Sequence, residues 1–309
     1  MADPVLHIKD GYYFDVPKAL WRANYDSLDD VPPFLKVAHP HAKVEEFRHA
    51  MDGKILIPQP FGTLKNLHEA NSGFCISKFM ILELVVSAII VFVFTHVARK
   101  IRNGEPIAGR FWSLVEVFLV FVREQVARPT LGAKDADRFV PLLWTIFFFI
   151  LVSNLMGLVP FTGATTGAFG VTLTLAIVIL CTTLGAGMKQ FGPIGVWTNM
   201  VPHMELPFVF RWLKWFILVI EIVGLLIRHG VLSVRLLANM VAGHIVLLGI
   251  LELIPESASS STGSWATVTA ISLVSSTLFS CLELFVAFLQ AYIFTFLAAL
   301  FIGSAIHHH

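Results

Sequence analysis

The chain has 309 residues, 56% of them apolar and 14% charged, with a mean hydropathy of +0.76. Soluble domains carry roughly a quarter charged residues, so an ordinary soluble fold is excluded. The formal net charge of +1 implies no polyelectrolyte partner such as nucleic acid. Cys75, Cys181 and Cys281 stand singly in apolar surroundings, without redox or metal spacing.

Residues 1–74 hold ten acids, eight Lys or Arg and many prolines. They contain no apolar run near the ~20 residues a spanning helix needs, so they read as a soluble arm. The first thirty residues lack the basic and then apolar pattern of a secretory signal. Within the arm, HPHAKVEEFRH spaces His41, Glu45 and His49 four apart. On a helix that spacing makes a possible metal trio, against the simpler reading of a solvated polar face.

The first span is predicted over 78–98, with Arg99, Lys100 and Arg102 crowding its far end. The stretch 107–128 puts Phe111, Leu114, Val115, Phe118 and Val122 on one stripe, with Glu116, Arg123 and Glu124 off it, the pattern of a helix lying in the interface. Further spans are predicted over 139–160, closed by Pro160, and over 170–188, closed by Lys189. Two longer helices, 206–254 and 264–304, flank the Ser-rich turn PESASSSTGS. The expected fold is an all-α integral membrane protein with about five membrane helices and one interfacial amphipathic helix. Residues 75–305 form its membrane domain, and 306–309 a short tail.

Eight Lys or Arg lie in 99–138 and three in 189–214, whereas 161–170 and 255–264 have none. By the positive-inside rule the basic connections face the cytoplasm or matrix, the arm lies outside, and five crossings leave the C-terminus inside. No internal repeat supports an inverted-repeat transporter.

The segment EIVGLLIRHGVLSVRLLANMVAGH carries Glu221, Arg228, His229, Arg235, Asn239 and His244 on an apolar helix. A charge near the bilayer centre costs at least ~2.5–3.5 kcal/mol, so such residues are functional candidates. Arg228 and His229 lie near the inner end, where snorkelling to headgroups is an alternative. Arg235 has about twenty apolar-rich residues on either side and cannot easily reach water. The last helix supplies Glu283 and Gln290, seven apart and near one face. If the two long helices pair antiparallel, Arg235 falls opposite Gln290 and His244 opposite Glu283, at levels about 13 Å apart. Glu221 has no counterpart on the last helix and is expected to face inner-side water. His244 and Glu283 suit proton entry from outside, Glu221 suits exit, and Arg235, which stays charged, bars direct cation passage. Two offset half-channels with a moving partner between them would use that layout. No phosphate loop, nucleophile with its base, or intramembrane metal cluster is present, so no catalytic residue and no cofactor are expected. A self-contained proton-coupled transporter and a purely structural anchor remain as alternatives.

RLLANMVAGH, followed by ELFVAFLQAYIFTFL, resembles the a subunit of rotary F-type ATP synthases, and the likeness extends over about 75–305, including FFFILVSNLMGLVP. The resemblance implies that Arg235 is the stator arginine facing the carboxylates of a c-ring, with Asn239 and Gln290 beside it. It further implies that His244 and Glu283 line the outer half-channel and Glu221 the inner one, and that the last two helices are strongly tilted. The implied partners are the c-ring, b-type peripheral stalk subunits, lipid and protons. The implied location is an energy-coupling inner membrane, bacterial in preference to mitochondrial. Several bacterial members have Glu and His exchanged relative to His244 and Glu283; the swap keeps one acid and one imidazole at the same level. The arm is longer than usual in the family. DADRFVPLLWTIFFFILVSNLMGLVPF and FVAFLQAYIFTFLAALFIGSA look most like planctomycete-type bacterial sequences. Proton is preferred to sodium because His244 is a poor sodium ligand.

Overall fold

A computed structural model describes residues 10–103, 109–159, 162–163, 165–200, 211–257 and 262–306. The expected helix starts at 107 and 206, the closing Pro160, residues 258–261 of the Ser-rich turn and residues 307–309 of the tail lie outside the described residues. The arm carries its own small fold. Strand β1 (Tyr13–Asp15) pairs antiparallel with β2 (Lys54–Leu56), and β3 (Gly62–Leu64) with β4 (Ala70–Gly73). Helix α1 (Pro33–Ala38) starts on a proline, whose missing N–H is no loss in a first turn. Helix α2 (Val44–Met51) has Glu45 and Glu46 in its first turn and Arg48 and His49 in its last, matching the helix dipole. Phe47 and Met51, four apart, bury its inner face against Ala23, Val31 and Leu35. His41 precedes α2 rather than joining its face, and His41, Glu45 and His49 are all exposed. Among the described residues no group of three could hold a metal ion there.

Five helices are long and apolar enough to cross a membrane. Helix α3 (Lys78–Arg102) ends one turn later than predicted, with Arg99, Lys100 and Arg102 at its dipole-negative end. Helix α4 (Arg110–Phe121) runs through a π turn (Val122–Ala127) into α5 (Arg128–Gly157). Gly132 interrupts that run with φ 76° and ψ 161°, a conformation that a side chain would resist. There the chain folds back: Arg123 pairs with Asp137 at 2.7 Å, and Trp144 Nε1 donates to the Leu119 carbonyl at 2.9 Å. The amphipathic stripe is therefore split. Val115 and Val122 are buried and Phe118 stacks on Phe288 and packs against Phe147 and, edge-on, Phe148, whereas Phe111 and Leu114 stay exposed.

Helix α6 (Phe169–Met200) breaks at Gly192, and α7 (Arg211–Ser257) and α8 (Thr262–Ile306) form the long pair. At 1.5 Å per residue each of the two exceeds a ~30 Å hydrocarbon core about twofold, which demands a steep tilt. Ala287, Ala291, Phe294, Ala298 and Ile302 make one buried stripe on α8, and α8 packs most extensively on α5. In lipid that packing is driven by close contact rather than by water exclusion, which the alanines permit. Two contacts grip α8 from α5: Asn154 Nδ2 donates to the Ala287 carbonyl at 3.4 Å, and Gly303 lies against the Thr130 carbonyl.

Candidate functional site

Helix α7 passes through Arg235 without interruption. Arg235 is half-buried and makes neither an ion pair nor a side-chain hydrogen bond among the described residues. Its stripe continues through Ile227, Val231 and Val234, all exposed, and α8 adds exposed Leu278, Leu282 and Phe285. Only 22% of the most apolar part of α7 is buried. A permanent cation on such an apolar face is costly unless it is paired.

Helices α7 and α8 are paired antiparallel as the spacing predicted, with a shift of about one turn at one level. Gln290, 3% exposed, accepts from Asn239 Nδ2 at 2.9 Å rather than facing Arg235 directly. One level further out, the Glu283 carboxylate lies directly against Gly243, the neighbour of His244. A Cβ at Gly243 would overlap Glu283 Oε1 and stand 3.2 Å from its Cδ, so an alanine there would force the end of the Glu283 side chain to move. His244 and Glu283 share this level but are not bonded to each other. The His244 ring sits between two carbonyls, Nδ1 3.0 Å from Met240 O and Nε2 3.0 Å from Gly157 O. A neutral imidazole can donate to one of them and an imidazolium to both.

A cavity of about 20 Å³ is lined by Asn154, Asn239, Glu283 and Gln290 together with apolar neighbours. That is room for one water. Gln290 Nε2 is buried with no acceptor among the described residues, and a water there would satisfy it. Asn154, which sequence reasoning passed over, is 2% exposed; its Oδ1 accepts from Thr166 Oγ1 at 2.8 Å. The available signal was an amide inside the apolar run 139–160. Nearby, buried Ser233 of α7 bonds Thr172 of α6 at 3.0 Å.

Glu221, which has no counterpart on α8, is paired within its own helix and stays part-exposed. Arg228, two turns along α7, hydrogen-bonds the Glu221 carboxylate, and its Nε donates to the Gly224 carbonyl at 3.2 Å. Seven residues is two turns on one face, so the pairing needs no second helix. His229 does not snorkel. It is 3% exposed, its Nδ1 is 2.9 Å from Leu225 O, and its ring lies 4.7 Å from that of Phe301 on α8.

The family model described as ATP synthase A chain matches residues 80–303, which include every one of these groups. The chain is 34% identical over 304 residues to ATP synthase subunit a of Anaeromyxobacter sp. (strain Fw109-5), covering 98% of this chain and 70% of that protein. It is 36% identical over 267 residues to ATP synthase subunit a of Chlorobium phaeobacteroides, covering 84% of this chain and 74% of the relative. With Chloroherpeton thalassium ATP synthase subunit a the identity is 36% over 276 residues, covering 87% and 79%. An apolar helical bundle matched over nearly its whole membrane part leads to one assignment: the chain belongs to the ATP synthase A-chain family.

Proposed function

We propose that the chain is the non-catalytic, proton-translocating stator subunit of a rotary ATP synthase, with Arg235 separating two half-channels that meet a c-ring. The observation that carries this reading is an arginine on an apolar helix with no ion pair or side-chain hydrogen bond among the described residues, on an exposed apolar face, between two polar clusters. The outer cluster is His244, Glu283 and the one-water cavity with Asn239 and Gln290. The inner cluster is Glu221 with Arg228. At 1.5 Å per residue these lie about 13 Å and about 21 Å from Arg235 along α7, so a proton cannot hop between them without a carrier. The carrier is the ring carboxylate, and Arg235 holds it ionised as it passes. Basic connections place the C-terminus inside and the arm outside, with the 107–128 stretch along the inner interface, in a bacterial inner membrane of planctomycete type. Stalk subunits of the b type hold the assembly still.

The test is reconstitution. In liposomes the chain alone is expected to give no proton-coupled uptake and no proton flux, and to give flux when assembled with an oligomeric ring of two-helix subunits bearing a mid-helix carboxylate. Solute uptake by the chain alone would establish the transporter reading instead.

The inner pair gives a second expectation. Glu221→Gln is expected to lower ATP-driven proton pumping in membrane vesicles, and Arg228→Gln to lower it less. The double variant should be no worse than Glu221→Gln, because Arg228 acts through that carboxylate. Additive losses would separate the two residues.

A further inference from the structure

The arm is built onto the membrane domain rather than tethered to it. Its junction with α3 is held by Gln59, whose amide bonds both the carbonyl and the N–H of Ile76 at 2.8 and 2.7 Å. Lys78 N donates to Gly11 O at 2.8 Å, and Phe79 N to Asp10 Oδ1 at 3.3 Å. At the centre lies a buried ion pair: Lys78 Nζ is 3.5 Å from Asp15 Oδ2, with side chains 4% and 19% exposed. The pocket around Asp15 is apolar enough that burial, and then the Asp15 carboxylate, push the neighbouring Tyr13 hydroxyl up to about 12. Lys54, opposite Asp15 in the strand pair, is pushed down by burial, with Asp15 opposing the shift.

Lys78 has a second neighbour. The backbone at Gly163 sits on it, so that a Cβ there would be 3.2 Å from both Cε and Nζ of Lys78 and 3.3 Å from the Phe79 ring. Gly163 belongs to the connection between α5 and α6, whose Thr165 and Thr166 are fully buried. Thr166 in turn holds Asn154, which lines the cavity beside Glu283. Contacts therefore run from the arm to the α5–α6 connection, Asp15 to Lys78 to Gly163, and from Thr166, three residues along that connection, to Asn154 at the outer cluster.

We propose that the N-terminal arm is a positioning element of the outer proton path, in which the Asp15–Lys78 pair clamps the α5–α6 connection and so holds Asn154 at the Glu283 cavity. This rests on the half-channel reading above. The physical reason is that a buried ammonium deprived of its carboxylate moves or draws in water, and here the backbone of the connection rests on that ammonium.

The experiment uses the assembled complex in liposomes, with proton flux driven by an imposed potential while the pH on each side is varied separately. Asp15→Asn is expected to raise severalfold the outer-side proton concentration needed for half-maximal flux and to leave the inner-side dependence unchanged. Thr166→Val should do the same, and Asp15→Asn with Thr166→Val should be no worse than Thr166→Val alone, since both act through Asn154. Gln59→Met loosens the same junction without stranding a charge, and should give a smaller shift of the same kind if Asp15→Asn does not assemble. Wild-type outer-side dependence in Asp15→Asn, or in Gln59→Met where the former does not assemble, would overturn the clamp, as would additive effects with Thr166→Val. Arg235→Ala separates the two readings. If it stops the flux while the arm variants behave as wild type, the clamp alone fails; if it leaves the flux intact, the half-channel reading falls and the clamp with it.

Discussion

Arg235→Ala is expected to abolish ATP-driven proton pumping and coupled ATP synthesis, while the detached catalytic head hydrolyses ATP at its normal rate. The guanidinium is the one cation on its face of α7 without a partner among the described residues, so its removal breaks no internal contact and spares the fold. What it removes is a field. At an effective dielectric of about 20, unit charges about 4 Å apart interact by about 4 kcal/mol. At about 1.4 kcal/mol per tenfold, this is roughly three powers of ten in the balance between ionised and protonated carboxylate. Without it a ring carboxylate keeps its proton as it passes, and no net transfer occurs. Arg235→Lys keeps a charge that can be lost in apolar surroundings and is expected to leave pumping partial and leaky. Normal quenching of a pH-sensitive dye by Arg235→Ala vesicles on addition of ATP would sink the proposal.

Gly243→Ala is expected to have the next largest effect, although it adds a single methyl group. The new Cβ would overlap Glu283 Oε1 and press on Cδ at 3.2 Å and Cγ at 3.4 Å, so the carboxylate must leave its place between α7 and α8. A shift of about 1 Å in a group that must meet its proton donor can cost about 10²-fold in rate. Passive proton conduction through the assembled membrane sector should fall on that order, with assembly unchanged. A shorter acid relieves the overlap, so Gly243→Ala with Glu283→Asp is expected to recover part of the flux. Equal flux in Gly243→Ala and wild type would show that the position of Glu283 is unimportant.

The spans were legible because apolar length is a direct requirement of the bilayer, and the pairing of α7 with α8 because polar groups on two long apolar helices must find each other. The detail differed: Gln290, expected opposite Arg235, bonds Asn239 one turn along, and Glu283 lies against Gly243, next to His244. Three features were not legible. The fold-back at Gly132 depends on a single positive φ inside a run whose composition is continuous. The Glu221–Arg228 pair lies within one helix, where opposite charges two turns apart read equally well as two groups facing water. The arm's strands are three or four residues long, too short for an alternating pattern, so its fold and its seat on Lys78 emerge only from tertiary contacts. Asn154 lay in plain view but looks like any tolerated amide until Thr166 and the cavity surround it.

On the proposed stator reading the chain carries a sideways load, and the seam between α5 and α8 says where that load goes. Asn154 grips α8 at Ala287, and the Thr130 carbonyl bears on it at Gly303. These points are about 24 Å apart at 1.5 Å per residue and lie on either side of Gln290. Between them the buried Ala291, Phe294, Ala298 and Ile302 keep α8 against α5, with Gln290 inside the gripped length. On the proposed stator reading, torque that would bend a free helix is spread along this whole seam, and the gap between Arg235 and a passing carboxylate keeps its width through each step.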